Sequence, residues 1–273
     1  MKLGPYEFSR DTFPVVAGPC VIESEKHVLR MAAALAQVRD RLGLALVFKA
    51  SFDKANRSAA ESYRGVSLEA ALPIFKQIRR EFELPVVTDF HVPAQAQQLQ
   101  EAVDAMQVPA FLCRQTDMLQ AAARTGLPVL VKKGQFLSPW EVGNIADKLR
   151  AAGGNDFAIV ERGASFGYQN LVSDMRAITI IQEQIIPVIF DATHSAQLPG
   201  AGGGQTDGRR EYIPTVARAA VAAGCDGLFM EVHDQPAQAL SDSATQWPLD
   251  RFEGLMTQLL AFRRTYVETS AHE

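Results

Sequence analysis

The stretch Pro85–Val103, PVVTDFHVPAQAQQLQEAV, decides the fold. It opens with a short run, Pro85–Asp89, that is apolar up to a terminal carboxylate. Pro93 then starts a helical pattern that continues to Val103. A β-branched run followed by a helix with proline in its first turn is one βα unit. The unit recurs on both sides. The other apolar runs are Val15–Gly18, Leu44–Lys49, Val108–Leu112, Pro128–Lys132, Phe157–Glu161, Pro187–Asp191 and Gly227–Glu231. The other helical patterns are His27–Arg41, Ser67–Phe82, Thr116–Arg124, Ser138–Arg150, Ser173–Gln184, Glu211–Ala223 and Leu249–Tyr266. Eight strands thus alternate with eight helices, and the run ends recur about every 30 residues, the size of a βα unit. This predicts an α/β chain folded as a single (β/α)8 TIM barrel over residues 1–273, with the first 14 residues as a short N-terminal cap. An open doubly wound sheet is the alternative, but no GxGxxG follows the first strand.

Composition narrows the function. The 273 residues are 47% hydrophobic and 21% charged, with a net charge of −4. That balance excludes a disordered chain. No apolar stretch reaches the roughly 18 residues of a membrane span, so no membrane partner is expected. A chain with a slight acidic excess is not a dedicated nucleic-acid binder. Three scattered cysteines, Cys20, Cys113 and Cys225, make no disulfide framework and suit a reducing compartment. The start MKLGPYEFSR has no apolar signal core, so a cytoplasmic protein is expected.

A barrel of this kind carries its chemistry at the C-terminal strand ends. Two sectors stand there. Strands one, seven and eight meet where the barrel closes and bring Cys20, His194, Glu231 and Asp242 to one part of the rim. A thiolate, an imidazole and two carboxylates are ligands for a divalent metal ion such as Zn²⁺, Fe²⁺ or Mn²⁺. Each residue alone also fits a structural role, a small buried filler or an ion-pair partner. The second sector is basic: Lys49, Lys54, Arg57, Arg114, Lys132 and Arg162 come from strands two, four, five and six. Cations at the ends of apolar strands are costly without anions, so two anionic groups, hence phosphorylated small-molecule substrates, are expected. The pattern does not decide whether Lys132 or Lys133 faces inward, and it leaves Cys113 and Arg114 equally open. Cys225, in a turn at the other barrel end, reads as structural. Pro199–Gly208, PGAGGGQTDG, holds five glycines in ten residues. It is expected to form no regular element and to be either a slack surface loop or a mobile lid after strand seven.

The run Phe48–Ser58, FKASFDKANRS, resembles a signature of the 3-deoxy-D-manno-octulosonate-8-phosphate synthase family. Matches follow in order: VVTDFH at Val86–His91, PAFLCRQTD at Pro109–Asp117, VKKGQF at Val131–Phe136 and ERGASFGYQNLVSDM at Glu161–Met175. PVIFDATHS at Pro187–Ser195 and GLFMEVH at Gly227–His233 complete the series. The resemblance implies a barrel, usually a homotetramer. It implies a carbon–carbon bond-forming transferase that condenses phosphoenolpyruvate with arabinose 5-phosphate for lipopolysaccharide sugar synthesis. By resemblance, Lys49, Gln107, Lys132, Arg162 and His194 hold phosphoenolpyruvate, and Arg114 joins the substrate-binding set. Lys54, Asn56, Arg57, Ser58 and Asp89 hold the sugar phosphate, and His194, Lys132 and Asp242 form the catalytic group. The related 3-deoxy-D-arabino-heptulosonate-7-phosphate synthases, which use erythrose 4-phosphate, typically carry a KPRT-type run where this chain has KANRS. Metal-independent members have Asn in a GGMN-like run, whereas this chain has AGPC at Ala17–Cys20, so Cys20, His194, Glu231 and Asp242 resemble the metal-dependent type. Two departures are Gly134, where many members have Pro, and the glycine-rich segment. A Schiff-base aldolase using Lys132 and a non-catalytic phosphosugar-binding protein are the rival readings.

Overall fold

A computed structural model describes residues 1–9, 12–56, 59, 61–202 and 205–270. Eight parallel strands form the centre: β1 Pro14–Gly18, β2 Ala45–Lys49, β3 Val86–Asp89 and β4 Ala105–Val108. They continue with β5 Val129–Lys132, β6 Phe157–Glu161, β7 Val188–Asp191 and β8 Gly227–His233. Each pairs in parallel with the next in sequence, and β8 also pairs with β1, which closes the barrel. The strands are buried along nearly their whole length because helices cover them outside and side chains fill them inside.

The helices are α1 Glu25–Leu42, α2 Leu68–Phe82, α3 Pro93–Leu99 and α4 Thr116–Arg124, then α5 Val142–Ala151, α6 Arg176–Gln182, α7 Ile213–Ala222 and α8 Leu249–Thr269. Helix α1 shows how sequence sets such boundaries. Ser24 Oγ accepts the His27 amide at 3.2 Å, and Gly43 ends the helix in the left-handed region at φ 63°. Among the described residues no helix is long and apolar enough to cross a membrane.

Side chains alternate along each strand, so one set faces the helices and the other the lumen. Val16, Val47, Val87, Ala105, Leu130, Ala158, Val160, Ile189 and Phe229 fill the lumen as one apolar cluster. Leu3 joins them from below. It sits on a hairpin, Lys2–Leu3 against Tyr6–Glu7, so the expected N-terminal cap is a plug under the barrel.

Three expectations change. The fourth strand is Ala105–Val108 rather than Val108–Leu112, and Ala110–Leu112 is a single 3₁₀ turn. Pro109 has no N–H for the ladder, so pairing stops before it. The eighth strand runs two residues further, to His233. The glycine-rich segment does form a regular element: Gln197–Gly202 pairs antiparallel with Gln205–Gly208, with a register shift between Leu198 and Gly202. A second hairpin, Ala164–Ser165 with Leu171–Val172, follows β6 and went unforeseen.

Candidate active site at the barrel mouth

Two residues beyond the apolar lumen layer, the inward positions turn polar. Val47 is followed by Lys49, Val87 by Asp89, Ala105 by Gln107, Leu130 by Lys132, Val160 by Arg162, Ile189 by Asp191 and Phe229 by Glu231. Period-two alternation places these seven on one level at the C-terminal mouth. It also settles the lysine ambiguity. Lys132 Nζ lies 3.0 Å from the centre of the Phe229 ring, inside the lumen. Lys133 faces the other way, donating to Leu137 O at 3.0 Å and pairing with Glu161 at 3.4 Å.

The basic and acidic sectors are one interlocked group. Lys49 is 1% exposed and donates to Glu231 Oε1 at 3.1 Å, Cys20 O at 3.1 Å and Ser51 Oγ at 3.0 Å. Lys54 Nζ stands 3.9 Å from the same Glu231 oxygen. Lys132 pairs with Asp191. Asp191 is the hub that the sequence placed at a strand end but gave no role. Its Oδ1 accepts the amides of Thr193 at 3.2 Å and His194 at 2.9 Å, and its Oδ2 lies 2.7 Å from His194 Nδ1. An Asx-type turn with a histidine three residues on is the local signal that could have found it.

Asp191 thereby aims His194 Nε2 between Glu231 Oε1 and Asp242 Oδ2, 3.6 Å from each. Cys20 Sγ lies 3.5 Å from Asp242 Oδ2 and 2.9 Å from Ser241 Oγ. Cys20, Glu231 and Asp242 offer ligand atoms within 4.8 Å of one another. Asp242 holds a left-handed backbone at φ 47°, a conformation Asp tolerates better than most residues, and this is where local strain is often stored at a site.

Burial and charge set the protonation. Burial, then Asp242 and Glu231, push the Cys20 thiol well above its usual pKa. Burial pulls Lys132 down to about 8 despite Asp191, and nearby Lys49 and Arg162 lower it further. For Asp191, burial pushes upward, but His194 and Lys132 outweigh it and hold the carboxyl well below the usual range. Burial also opposes ionisation of Asp89, yet Lys54 and Lys49 hold it low. Gln107 is 4% exposed and its Oε1 has no hydrogen-bond partner.

The remaining expected residues spread outward. Arg162 donates to Gln197 Oε1 at 2.6 Å, linking the mouth to the glycine-rich hairpin. Asn56 is exposed on the β2–α2 loop, and Arg57 and Ser58 lie outside the described residues. Arg114 is exposed on the rim beyond the 3₁₀ turn, apart from the buried group, whereas its neighbour Cys113 is buried. Cys225 is buried and its carbonyl accepts from Arg263 at 3.2 Å, in keeping with a structural place.

Comparison with known proteins adds two findings. The model of the DAHP synthetase I family matches residues 9–264. Proteins named 2-dehydro-3-deoxyphosphooctonate aldolase are similar over most of their length. That of Alkalilimnicola ehrlichii is 52% identical over 246 residues, 90% of this chain and 89% of the relative. That of Nitrobacter winogradskyi is 51% identical over 264 residues, covering 96% and 92%. That of Rhodopseudomonas palustris is 54% identical over 249 residues, covering 91% and 87%.

Proposed function

We propose, since this chain belongs to the DAHP synthetase I family, that it condenses phosphoenolpyruvate with D-arabinose 5-phosphate and water. The products are 3-deoxy-D-manno-octulosonate 8-phosphate and inorganic phosphate, for the inner sugar of lipopolysaccharide. The names of the relatives support the eight-carbon product over the seven-carbon one. One observation carries the reading on the side of the site. Lys49, Lys132 and Arg162 stand at inward positions on one level of the mouth, the first two buried, where anionic groups of a substrate can meet all three.

The residues divide the work. Lys132, Arg162 and Lys49 hold the phosphate and carboxylate of phosphoenolpyruvate, with Gln107 donating from its side-chain amide. Lys54, Asp89 and the β2–α2 loop with Asn56, Arg57 and Ser58 hold the sugar phosphate. Arg114 meets substrate from the rim. With both substrates fixed, the methylene carbon attacks the aldehyde carbon, a carbon–carbon bond forms, and the aldehyde oxygen takes a proton. Water adds to the second carbon of the former enol. The resulting hemiketal phosphate breaks its C–O bond and releases phosphate. Lys132 and Arg162 offset the departing charge.

The residues fit a divalent metal ion. Glu231 Oε2 is buried without a hydrogen-bond partner, and the Cys20 thiol, the His194 imidazole and the Asp242 carboxylate converge with the Glu231 side chain. Cys20, His194, Glu231 and Asp242 would hold the ion, and His194 would be oriented by Asp191 from its far nitrogen. When bound, the ion would polarise the aldehyde or acidify water. The three cysteines are free, in keeping with a cytoplasmic setting. Exposed Phe111, Phe136, Trp140, Phe166 and Tyr168 stand on the consecutive segments that follow β4, β5 and β6, which supports burial of this side of the rim in a homotetramer.

The test is phosphate release from phosphoenolpyruvate with arabinose 5-phosphate, before and after EDTA. Release that EDTA removes and a divalent ion restores is expected, with Cys20→Ala losing the metal-supported turnover. Release only with erythrose 4-phosphate would overturn the substrate. Full turnover by metal-free Cys20→Ala would overturn the metal.

A further inference from the structure

Beside the mouth, where the first and last barrel strands meet, lies a second cluster that shares no ligand with the first. Glu23 follows β1, His27 stands in the first turn of α1, and His233 ends β8. Their ligand atoms all lie within 4.8 Å of one another. The two imidazoles face each other with centroids 4.6 Å apart and are almost fully buried, at 6% and 3% exposure.

The far nitrogens of both rings converge on a single oxygen. His27 Nε2 is 3.1 Å and His233 Nδ1 is 3.3 Å from Asp234 Oδ1. The other oxygen of Asp234 is held by Arg30 at 3.0 Å and 2.5 Å. The near nitrogens converge on Glu23: His233 Nε2 lies 3.2 Å from Oε1, and His27 Nδ1 lies 3.9 Å from Oε2. Leu240 N also donates to Glu23 Oε1 at 2.8 Å. His27 Nδ1 is buried and has no hydrogen-bond partner. With its Nε2–H directed at Asp234, that nitrogen presents a lone pair to a carboxylate oxygen. Two acceptors facing each other in a buried place lack the cation that would satisfy both. An outer carboxylate holding the far nitrogen of His27 while the near nitrogens of both rings converge with a third donor is how metal-binding histidines are oriented.

We propose that Glu23, His27 and His233 form a second binding site for a divalent transition-metal ion, distinct from the Cys20 centre. The donor set, two imidazoles and a carboxylate, suits Zn²⁺. Gln235 N donates to His233 Nδ1 at 2.9 Å, so in the ion-free arrangement the ring carries its proton on Nε2. Binding transfers that proton to Nδ1, facing Asp234, and Gln235 gives up its bond. The ion staples the start of α1 to the end of β8, across the seam where the barrel closes.

The test is equilibrium dialysis of the full chain against Zn²⁺, followed by metal analysis, with Co²⁺ absorption as a second readout. Cys20→Ala removes the thiolate of the other centre and is expected to retain about one equivalent of Zn²⁺ per chain. Adding His27→Leu is expected to remove it, and adding Glu23→Gln to weaken it at least tenfold. Zn²⁺ should raise the melting temperature of Cys20→Ala but not of the His27→Leu double variant. His27→Leu alone should keep turnover within about twofold, since His27 is outside the mouth. If folded Cys20→Ala binds no Zn²⁺, or if the second substitution leaves its Zn²⁺ content unchanged, the site does not exist. Should His27→Leu fail to fold, the Glu23→Gln arm decides by the same criteria.

Discussion

Asp191 shows how one carboxylate organises a site without touching the reacting atoms. It pairs with Lys132, accepts two backbone amides and fixes the His194 ring through Nδ1. Asp191→Asn keeps the shape but removes the charge that both partners lean on. Metal affinity and kcat/KM are expected to fall about 10–100-fold with unchanged circular dichroism, and Asp191→Glu should not restore them. Lys132 gives the pH dependence. Its pKa of about 8 describes the ligand-free mouth. A bound anion favours the charged amine, so binding raises that pKa and takes up a proton when it occurs near or above pH 8. Calorimetry in buffers of different ionisation enthalpy should find uptake of about half a proton at pH 8, falling toward zero at pH 6. The sign is definite: phosphoenolpyruvate affinity weakens as pH rises from 7 to 9, and a flat profile would exclude Lys132 as the phosphate anchor. The proposed condensation uses the enol carbon and water as nucleophiles and needs no amine, so borohydride should trap no substrate on the chain.

At the scale of elements, the hairpin after β7 touches the segment that carries Asp242, a proposed metal ligand. Gly208 packs so closely that a Cβ there would stand 2.1 Å from Thr245 Cγ2. The Thr245 amide in turn holds the carbonyl of Asp242 at 3.0 Å. Gly208→Ala is expected to cost about 1–3 kcal/mol by urea titration. It should weaken metal binding about tenfold by displacing Asp242. The elements were legible to differing degrees for physical reasons. Strands buried on both faces announce themselves as apolar runs, and seven of eight were placed within a residue or two. The fourth slipped because Val108–Leu112 is more apolar than Ala105–Val108, and only the ladder shows that pairing stops at Pro109. Strand-end carboxylates and cations were legible as types. Their pairing was not, because Lys49 with Glu231 and Lys132 with Asp191 join residues 182 and 59 positions apart. The Glu23–His27–His233 cluster left only the four-residue spacing of Glu23 and His27, since His233 comes from the other end of the chain. A run of glycines read as shapeless, although antiparallel pairing imposes order on it.

For the molecule as a whole, the acidic total charge hides four cations at the mouth, Lys49, Lys54, Lys132 and Arg162, set among the carboxylates Asp89, Asp191, Glu231 and Asp242, and charge counting could not reveal them. The exposed aromatics on one side of that mouth lead to a definite expectation. Sedimentation equilibrium should return four times the chain mass of 29.8 kDa. Replacing Trp140, 67% exposed in the lone chain, with Glu should shift the species toward smaller ones. A monomer that turns over at full rate would separate catalysis from assembly.

Leu3 and its hairpin leave the barrel open at one end only. With the apolar layer filling the lumen above Leu3, the mouth is a cul-de-sac. The cations assigned to phosphoenolpyruvate lie at its buried floor, whereas Asn56 stands exposed at the lip. Traffic through a blind alley obeys the rule of a stack. The molecule that settles on the floor must arrive before the one that occupies the lip, and whatever sits at the lip must clear before the floor can empty. A steady-state ordered sequence, with phosphoenolpyruvate first, is therefore the expectation for the proposed reaction.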